Sequence, residues 1–411
     1  MLLYIDPGTG SMLFAVLVGI LGAAIFVFRE LYLKLRFYLS GGKRKKRDEQ
    51  RRPIVIFSES KRYWNVFESI CDELERRGQD ALYLTASQDD PVFSKPYTHV
   101  RSECIGEGNK GIARLNLLKA DIVLSTTPGL DVYQWKRSRE VKRYVHIPHA
   151  ASDIVLYRMF GIDFYDAVLL SGAYQAEQIR ELEALRNLPA KELPIVGMTY
   201  MDALKARLER AEPIGEHPVT VLLAPSWGQS AILSRYGARI IEALLKTGYR
   251  IVIRPHPQSF VSETELIEGL MRQYPDSDRL AWNRDNDNFE VLRRSDVLIS
   301  DFSGVIFDFA LVFDKPVLYA DTSFDRSPYD ACWIKEELWT FRTLPQIGEP
   351  LNEQDLDRMK ERIDGILHAQ TKRQARDTAR AETCAYPGEA AKRTVDYLIE
   401  LLQRNETEHA V

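Results

Sequence analysis

Cysteine is scarce in this chain. Cys71, Cys104, Cys332 and Cys384 are scattered over 411 positions, with no Cys-x-x-Cys pair among them. That spacing excludes a zinc ribbon, a dithiol redox motif and a disulfide framework, and it fits reduced thiols in a cytoplasmic setting. Histidine is also sparse: there are seven, and no His-Glu-x-x-His sequence to hold a catalytic zinc. No Gly-x-x-x-x-Gly-Lys-Ser/Thr segment occurs, so the chain carries no P-loop. The net charge is −4, without the basic excess that a nucleic-acid partner requires. There is no short-period repeat and no low-complexity tract outside one basic stretch. What is present, 45% hydrophobic and 28% charged residues, gives enough apolar material for a membrane segment and two globular domains of ordinary size.

Long apolar runs are confined to the N-terminus. Met12 to Phe28 holds no charged residue over 17 positions, and starting from Gly8 extends the run to 21. That is the length of one membrane-spanning helix. Only Asp6 is charged before it, whereas Arg29, Lys34, Arg36, Lys43, Arg44, Lys45, Lys46 and Arg47 crowd in behind. A cleavable signal peptide has the opposite charge order. The positive-inside rule therefore predicts a single-pass protein of the cell inner membrane, with residues 1–7 outside and everything after Arg29 in the cytoplasm. Tyr32, Phe37 and Tyr38 lie between the bases as an interfacial belt. The competing reading is a buried amphipathic hairpin, which the lack of a polar face in residues 8–28 disfavours.

Beyond the anchor (1–40) and a glycine-led basic linker (41–52), strand and helix patterns alternate. The first α/β half (53–210) opens on the apolar strand Pro53 to Phe57. A helix follows, with Trp64, Phe67, Ile70, Cys71 and Leu74 at helical spacing, and Gly78 stops it. Further strands are expected at Ala81–Leu84, Ala120–Ser125, Tyr144–Ile147, Ala167–Leu170 and Pro194–Gly197, with a helix over Ala176–Leu185. The segment 211–218 is a linker, and the second half (211–411) repeats the alternation. Its strands are expected at Val219–Ala224, Arg250–Ile253, Val297–Ser300 and Pro316–Tyr319. Its helices are expected at 238–246, 262–273, 305–313, 352–369 and 388–404. The alternation implies two parallel-sheet, Rossmann-like domains with a cleft between them.

Four segments place reactive side chains at the C-terminal ends of expected strands, where ligands of open α/β sheets bind. Arg254-Pro255-His256-Pro257 fixes a histidine between two ring-restricted residues. Ser300-Asp301-Phe302-Ser303-Gly304 opens a helix whose first amides can hold phosphate, although ordinary capping by Asp301 or Ser303 explains the same residue types. His146-Ile147-Pro148-His149-Ala150-Ala151-Ser152-Asp153 puts His149 before small residues that leave room for a substrate, with His146 more internal and Asp153 a candidate to orient an imidazole. Ala224-Pro225-Ser226-Trp227-Gly228 forms the first turn of the second half. Two histidines facing each other across a cleft suit a transfer in which a hydroxyl loses its proton as it attacks. The acidic run 285–288 lacks calcium-ligand spacing and is expected to be a solvated turn.

Taken together, these residues resemble the CDP-glycerol glycerophosphotransferase family, of the teichoic-acid polymerase and primase type. The resemblance rests on Arg254-Pro255-His256-Pro257, on Ser300 to Gly304 with Phe307-Asp308-Phe309, on Lys315-Pro316-Val317-Leu318 and on Pro148-His149-Ala150. It covers roughly residues 140–330. Two departures stand out. The family's Trp-His-Gly-Thr segment is Pro148-His149-Ala150-Ala151 here, and the second serine of its Ser-Asp-x-Ser-Ser segment is Gly304. The resemblance implies a glycosyltransferase-B-like fold, membrane association and CDP-glycerol as the nucleotide-linked donor. It implies transfer of glycerol phosphate to a hydroxyl of a lipid-linked cell-surface glycan or polymer, with release of CMP. On that reading His149 and His256 are catalytic, and Arg254, Ser300, Asp301, Ser303, Gly304, Ser226 and Trp227 bind the donor phosphates. It brings no cofactor of its own, and a divalent metal is allowed but not required. An inverting glycosyltransferase or a nucleotide-sugar epimerase on the same fold is a second reading. An inactive, membrane-tethered assembly protein is a third, in which replacing either histidine would change nothing.

Overall fold

The computed structural model describes Phe28 and residues 51–321, 323–367 and 372–407. The expected membrane segment and basic linker therefore lie, but for Phe28 and residues 51–52, outside the described residues. Among the described residues no helix is long and apolar enough to cross a membrane.

Residues 51–411 form one compact unit built on two parallel sheets of six strands each. The first contains β1 (Arg52–Ser58), β2 (Ala81–Thr85), β3 (Val100–Cys104), β4 (Ala120–Ser125), β5 (Val141–His146) and β6 (Ala167–Val168). The second contains β7 (Thr220–Leu223), β8 (Arg250–Ile253), β9 (Leu280–Trp282), β10 (Val297–Ser300), β11 (Val317–Ala320) and β12 (Glu349–Leu351). The strand orders are β3-β2-β1-β4-β5-β6 and β12-β11-β10-β7-β8-β9. Read from its opposite edge, the second order repeats the first, and both are the Rossmann arrangement. The chain reverses direction across each sheet between β1 and β4 and between β7 and β10. Crevices open at these two places.

The central strands are apolar on both faces because helices cover both. Ile54, Val55 and Ile56 in β1, Val221, Leu222 and Leu223 in β7, and Leu298 and Ile299 in β10 are fully buried. The helix Trp64–Arg76 buries the apolar positions its spacing predicts and ends where Gly78 takes a left-handed φ of 66°. Edge strands β3, β9 and β12 were not legible. In β3 (Val-Arg-Ser-Glu-Cys) only Val100 is buried, so no apolar run marks it.

The helix expected over 305–313 is instead an α-helical turn at Val305–Phe307 that widens into a π-helix at Asp308–Val312. The last helix, Ala390–Thr407, packs back on the first half. Its Val395, Leu398 and Leu401 are buried. Its Asp396 pairs with Arg77 at 2.6 Å and its Arg404 with Glu192 at 2.7 Å.

Candidate active site

Both chain-reversal points open into one cavity of about 640 Å³. The loop after β1 contributes Glu59, Arg62 and Tyr63, and the segment after β5 contributes His149, Tyr157 and Arg158. From the second sheet come Ser226 and Trp227 after β7, Arg254 and His256 after β8, and Ser303, Gly304 and Asp308 after β10. The cavity thus draws side chains from strands far apart in sequence that the shared topology brings to one place.

His149 sits three residues past β5. Its Nδ1 lies 3.1 Å from the Thr126 hydroxyl, and the Thr126 carbonyl also faces the ring and favours its protonated form. The hydroxyl can donate or accept, so this contact fits either tautomer of the neutral ring. The ring packs against Tyr63 and Tyr157, with centroids at 5.0 and 5.8 Å. Burial pushes the imidazole down to about 4.

His256 is fixed by a backbone donor. Its Nδ1 accepts the Gln258 backbone N–H at 3.1 Å, so in the neutral ring Nε2 carries the proton. Burial, then the nearby charges of His149, Arg62 and Arg254, hold it down to about 4. The same electrostatic influence of His149 shows that the two histidines share one environment. The Trp227 ring lies 6.4 Å from the His256 ring and 5.5 Å from the Arg158 guanidinium.

The remaining expected site residues divide into two groups. Ser226, Trp227, Arg254, Ser303 and Gly304 line the cavity. Arg254 donates to the Asn283 side chain, and burial lowers its pKa, with Asp285 and Asp287 acting in opposition. The amides of Ser303 and Gly304 have no acceptor among the described residues. Gly304 faces the other half at close range: a Cβ placed there would lie 3.0 Å from the Ala150 Cβ.

Ser300 and Asp301 do not line the cavity, which corrects their expected place among the donor-binding residues. The Ser300 hydroxyl donates to the Ala224 carbonyl at 2.6 Å. The buried Asp301 carboxylate accepts the backbone N–H groups of Ser226, Ile232 and Phe302 at 2.8–2.9 Å. Burial raises its pKa and those amides oppose the rise. Both side chains brace the loop that carries Ser226 and Trp227.

Asp153 orients no imidazole. Its carboxylate accepts the Trp339 and Thr340 amides at 2.8 and 2.7 Å and so caps the helix Trp339–Ile347. Lys315 has a structural role too, donating to the carbonyls of Leu292 and Ser295 at 3.2 and 2.7 Å. The 285–288 turn is solvated as expected, with Asp285, Asn286 and Asp287 exposed, and its Asn286 and Asn288 also line the cavity.

The sequence did not single out Arg62, Arg158, Tyr157 or Asp308 as site residues. Arg62 and Arg158 have no carboxylate partner among the described residues, which leaves two guanidiniums free for an anion. Asp308 is buried at the cavity wall, its Oδ1 has no partner among the described residues, and burial raises its pKa well above the usual carboxylate range. The chain-reversal rule could have found Arg62, which follows β1 closely. No pattern marks a lone arginine such as Arg158. Among the described residues no three His, Cys, Asp or Glu side chains gather as a metal site.

A sequence profile of the family described as CDP-glycerol:poly(glycerophosphate) glycerophosphotransferase matches residues 182–400. No curated protein matches the chain. Among solved structures, the wall teichoic acid polymerase TagF soaked with CDPG is similar, with a TM-score of 0.57 and 14% identity over 93% of this chain and 98% of that one. The Methanocaldococcus jannaschii UDP-GlcNAc 2-epimerase in complex with UDP-GlcNAc and UDP reaches 0.54 at 12% identity over 85% of this chain and 100% of that one. The S. aureus MnaA–UDP structure reaches 0.57 at 14% over 85% and 97%. At such identities the likeness establishes the glycosyltransferase-B-like fold and nothing finer.

Proposed function

The chain belongs to the CDP-glycerol:poly(glycerophosphate) glycerophosphotransferase family, and from that premise we propose that it adds glycerol phosphate from CDP-glycerol to a terminal hydroxyl of a lipid-linked cell-surface glycan or polymer. The acceptor oxygen bonds to the phosphorus that carries glycerol. The bond from that phosphorus to the bridging oxygen breaks, and CMP leaves with the bridging oxygen. His149 takes the acceptor proton at Nε2, and His256 offers its Nε2–H to the pyrophosphate oxygens. Arg62, Arg254 and the Ser303 and Gly304 amides hold the phosphate charge. Preorganised donors of this kind supply much of the stabilisation in phosphoryl transfer.

The observation that carries the reading is the pair of histidines on one cavity, with Nδ1 of His149 against the Thr126 hydroxyl and Nδ1 of His256 against a backbone donor. The Gln258 amide leaves the proton of neutral His256 on Nε2 as a donor, and neutral His149 accepts a proton at Nε2 when its Nδ1–H faces Thr126. The apolar run and the bases that follow it support an N-terminal anchor, which would keep the cavity near lipid-linked acceptors at the inner leaflet.

The test is CMP release from CDP-glycerol by the detergent-solubilised protein, with membrane extract as acceptor. Wild type is expected to release CMP, and His149→Ala and His256→Ala to lose it by at least about a hundredfold. Carbonate extraction of the same membranes should leave the protein in the pellet. Wild-type activity that survives either substitution would remove that histidine from the mechanism, and extraction into the supernatant would remove the anchor.

A further inference from the structure

His146 and His149 lie on one short segment, yet their surroundings differ. His146 ends β5 and is fully buried. Its Nε2 lies 3.1 Å from the Tyr157 hydroxyl, and its Nδ1 has no partner among the described residues. It does not line the cavity. Tyr157 lines the cavity, and its ring stands perpendicular to His146 at 5.2 Å and tilted against His149 at 5.8 Å. The backbone N–H of His149 also faces the phenol oxygen. One tyrosine therefore touches both histidines.

Tyr157 is itself held from two directions. The Asp330 amide donates to its carbonyl at 3.0 Å. The Asp330 carboxylate accepts the Phe160 and Gly161 amides at 2.8 and 3.1 Å and pairs with buried Arg186 at 2.5 Å. A Cβ at Gly161 would lie 2.7 Å from the Tyr157 Cβ, so the bare backbone there leaves room for the start of the Tyr157 side chain. A side chain fixed this firmly, with its polar tip on a buried imidazole, sets the orientation of whatever packs against it.

We propose that Tyr157 is the positioning residue for His149, with His146 as its buried anchor. The two histidines of the segment then divide the work: His149 moves the proton and His146 holds the phenol that aligns it. The proposal rests on His149 being the base.

The experiment uses the full chain in detergent and measures CMP release as CDP-glycerol is varied. Rates are expressed per donor site, counted by titration calorimetry with CDP-glycerol. Tyr157→Phe keeps every carbon and removes only the hydroxyl. It is expected to lower kcat about tenfold while the KM for CDP-glycerol stays within about twofold, as for a misaligned base at an intact donor site. His146→Asn should show the same split. The double variant should be no slower than the slower single one, because both substitutions break one linkage. If His146→Asn does not fold, the Tyr157→Phe split decides alone. An unchanged kcat in Tyr157→Phe, or losses that multiply in the double variant, would overturn the proposal while wild-type turnover keeps the transferase reading. No CMP release by wild type would overturn both.

Discussion

His146, His149 and His256 are all held below the ordinary histidine range, and burial is the first cause for each. The sign of the consequence follows. Each ring is neutral in the folded protein down to about 3 or 4, whereas in the unfolded chain it protonates near 6.5. Their contribution to stability is present above 6.5 and is lost as pH falls toward 4. Activity has the same sense, because His149 must be unprotonated to accept a proton. We expect the acid limb of kcat/KM, which reports the free enzyme, near pH 4. A limb at 6.5 in a pH–rate profile would mean that His149 is not desolvated as described. The two catalytic candidates were legible because each lies next to proline just past an apolar strand. Arg158 and Tyr157 were not, because such residues on loops carry no pattern until topology places them together.

The segment after β10 shows how one element can be read correctly in type and wrongly in role. Ser300 to Gly304 does run from strand into helix at the cavity. A sequence cannot tell which of its polar side chains turns inward. Ser303 and Gly304 face the ligand space, whereas Asp301 turns back to collect three amides from its own and the neighbouring loop. Asp301→Ala should leave those buried N–H groups without an acceptor, at about 1–3 kcal/mol each. Thermal unfolding should show a loss of at least about 3 kcal/mol. Activity should then fall through disorder of the Ser226–Trp227 turn. Unchanged stability would mean that water or another acceptor replaces the carboxylate. The π-helical turn that presents Asp308 was likewise hidden, since 305–313 is equally apolar in either helical form.

Across the molecule, alternation of strand and helix carried most of the architecture, including two sheets joined only by parallel crossovers. It did not reveal that the C-terminal helix returns to cover the first half, because an amphipathic stripe does not name its partner. Nor did it reveal that the two departures from the family pattern, Ala150 and Gly304, sit opposite one another across the cavity. The space that a Cβ at 304 would need is taken by the Ala150 methyl, 3.0 Å away. Gly304→Ser alone should therefore press on Ala150, displace it by a few tenths of an ångström and slow CMP release by about tenfold. Ala150→Gly in the same chain should restore most of the rate. Equal activity of the Gly304→Ser single and the double variant would show that the contact yields freely.

The crowding of 150 against 304 also bears on ancestry. If the lineage began from the family pattern, glycine beside the histidine and serine opposite, the route in which alanine appears first passes through a crowded intermediate, and the route in which serine is lost first does not. One missing methylene would then fix the order in which two distant codons changed.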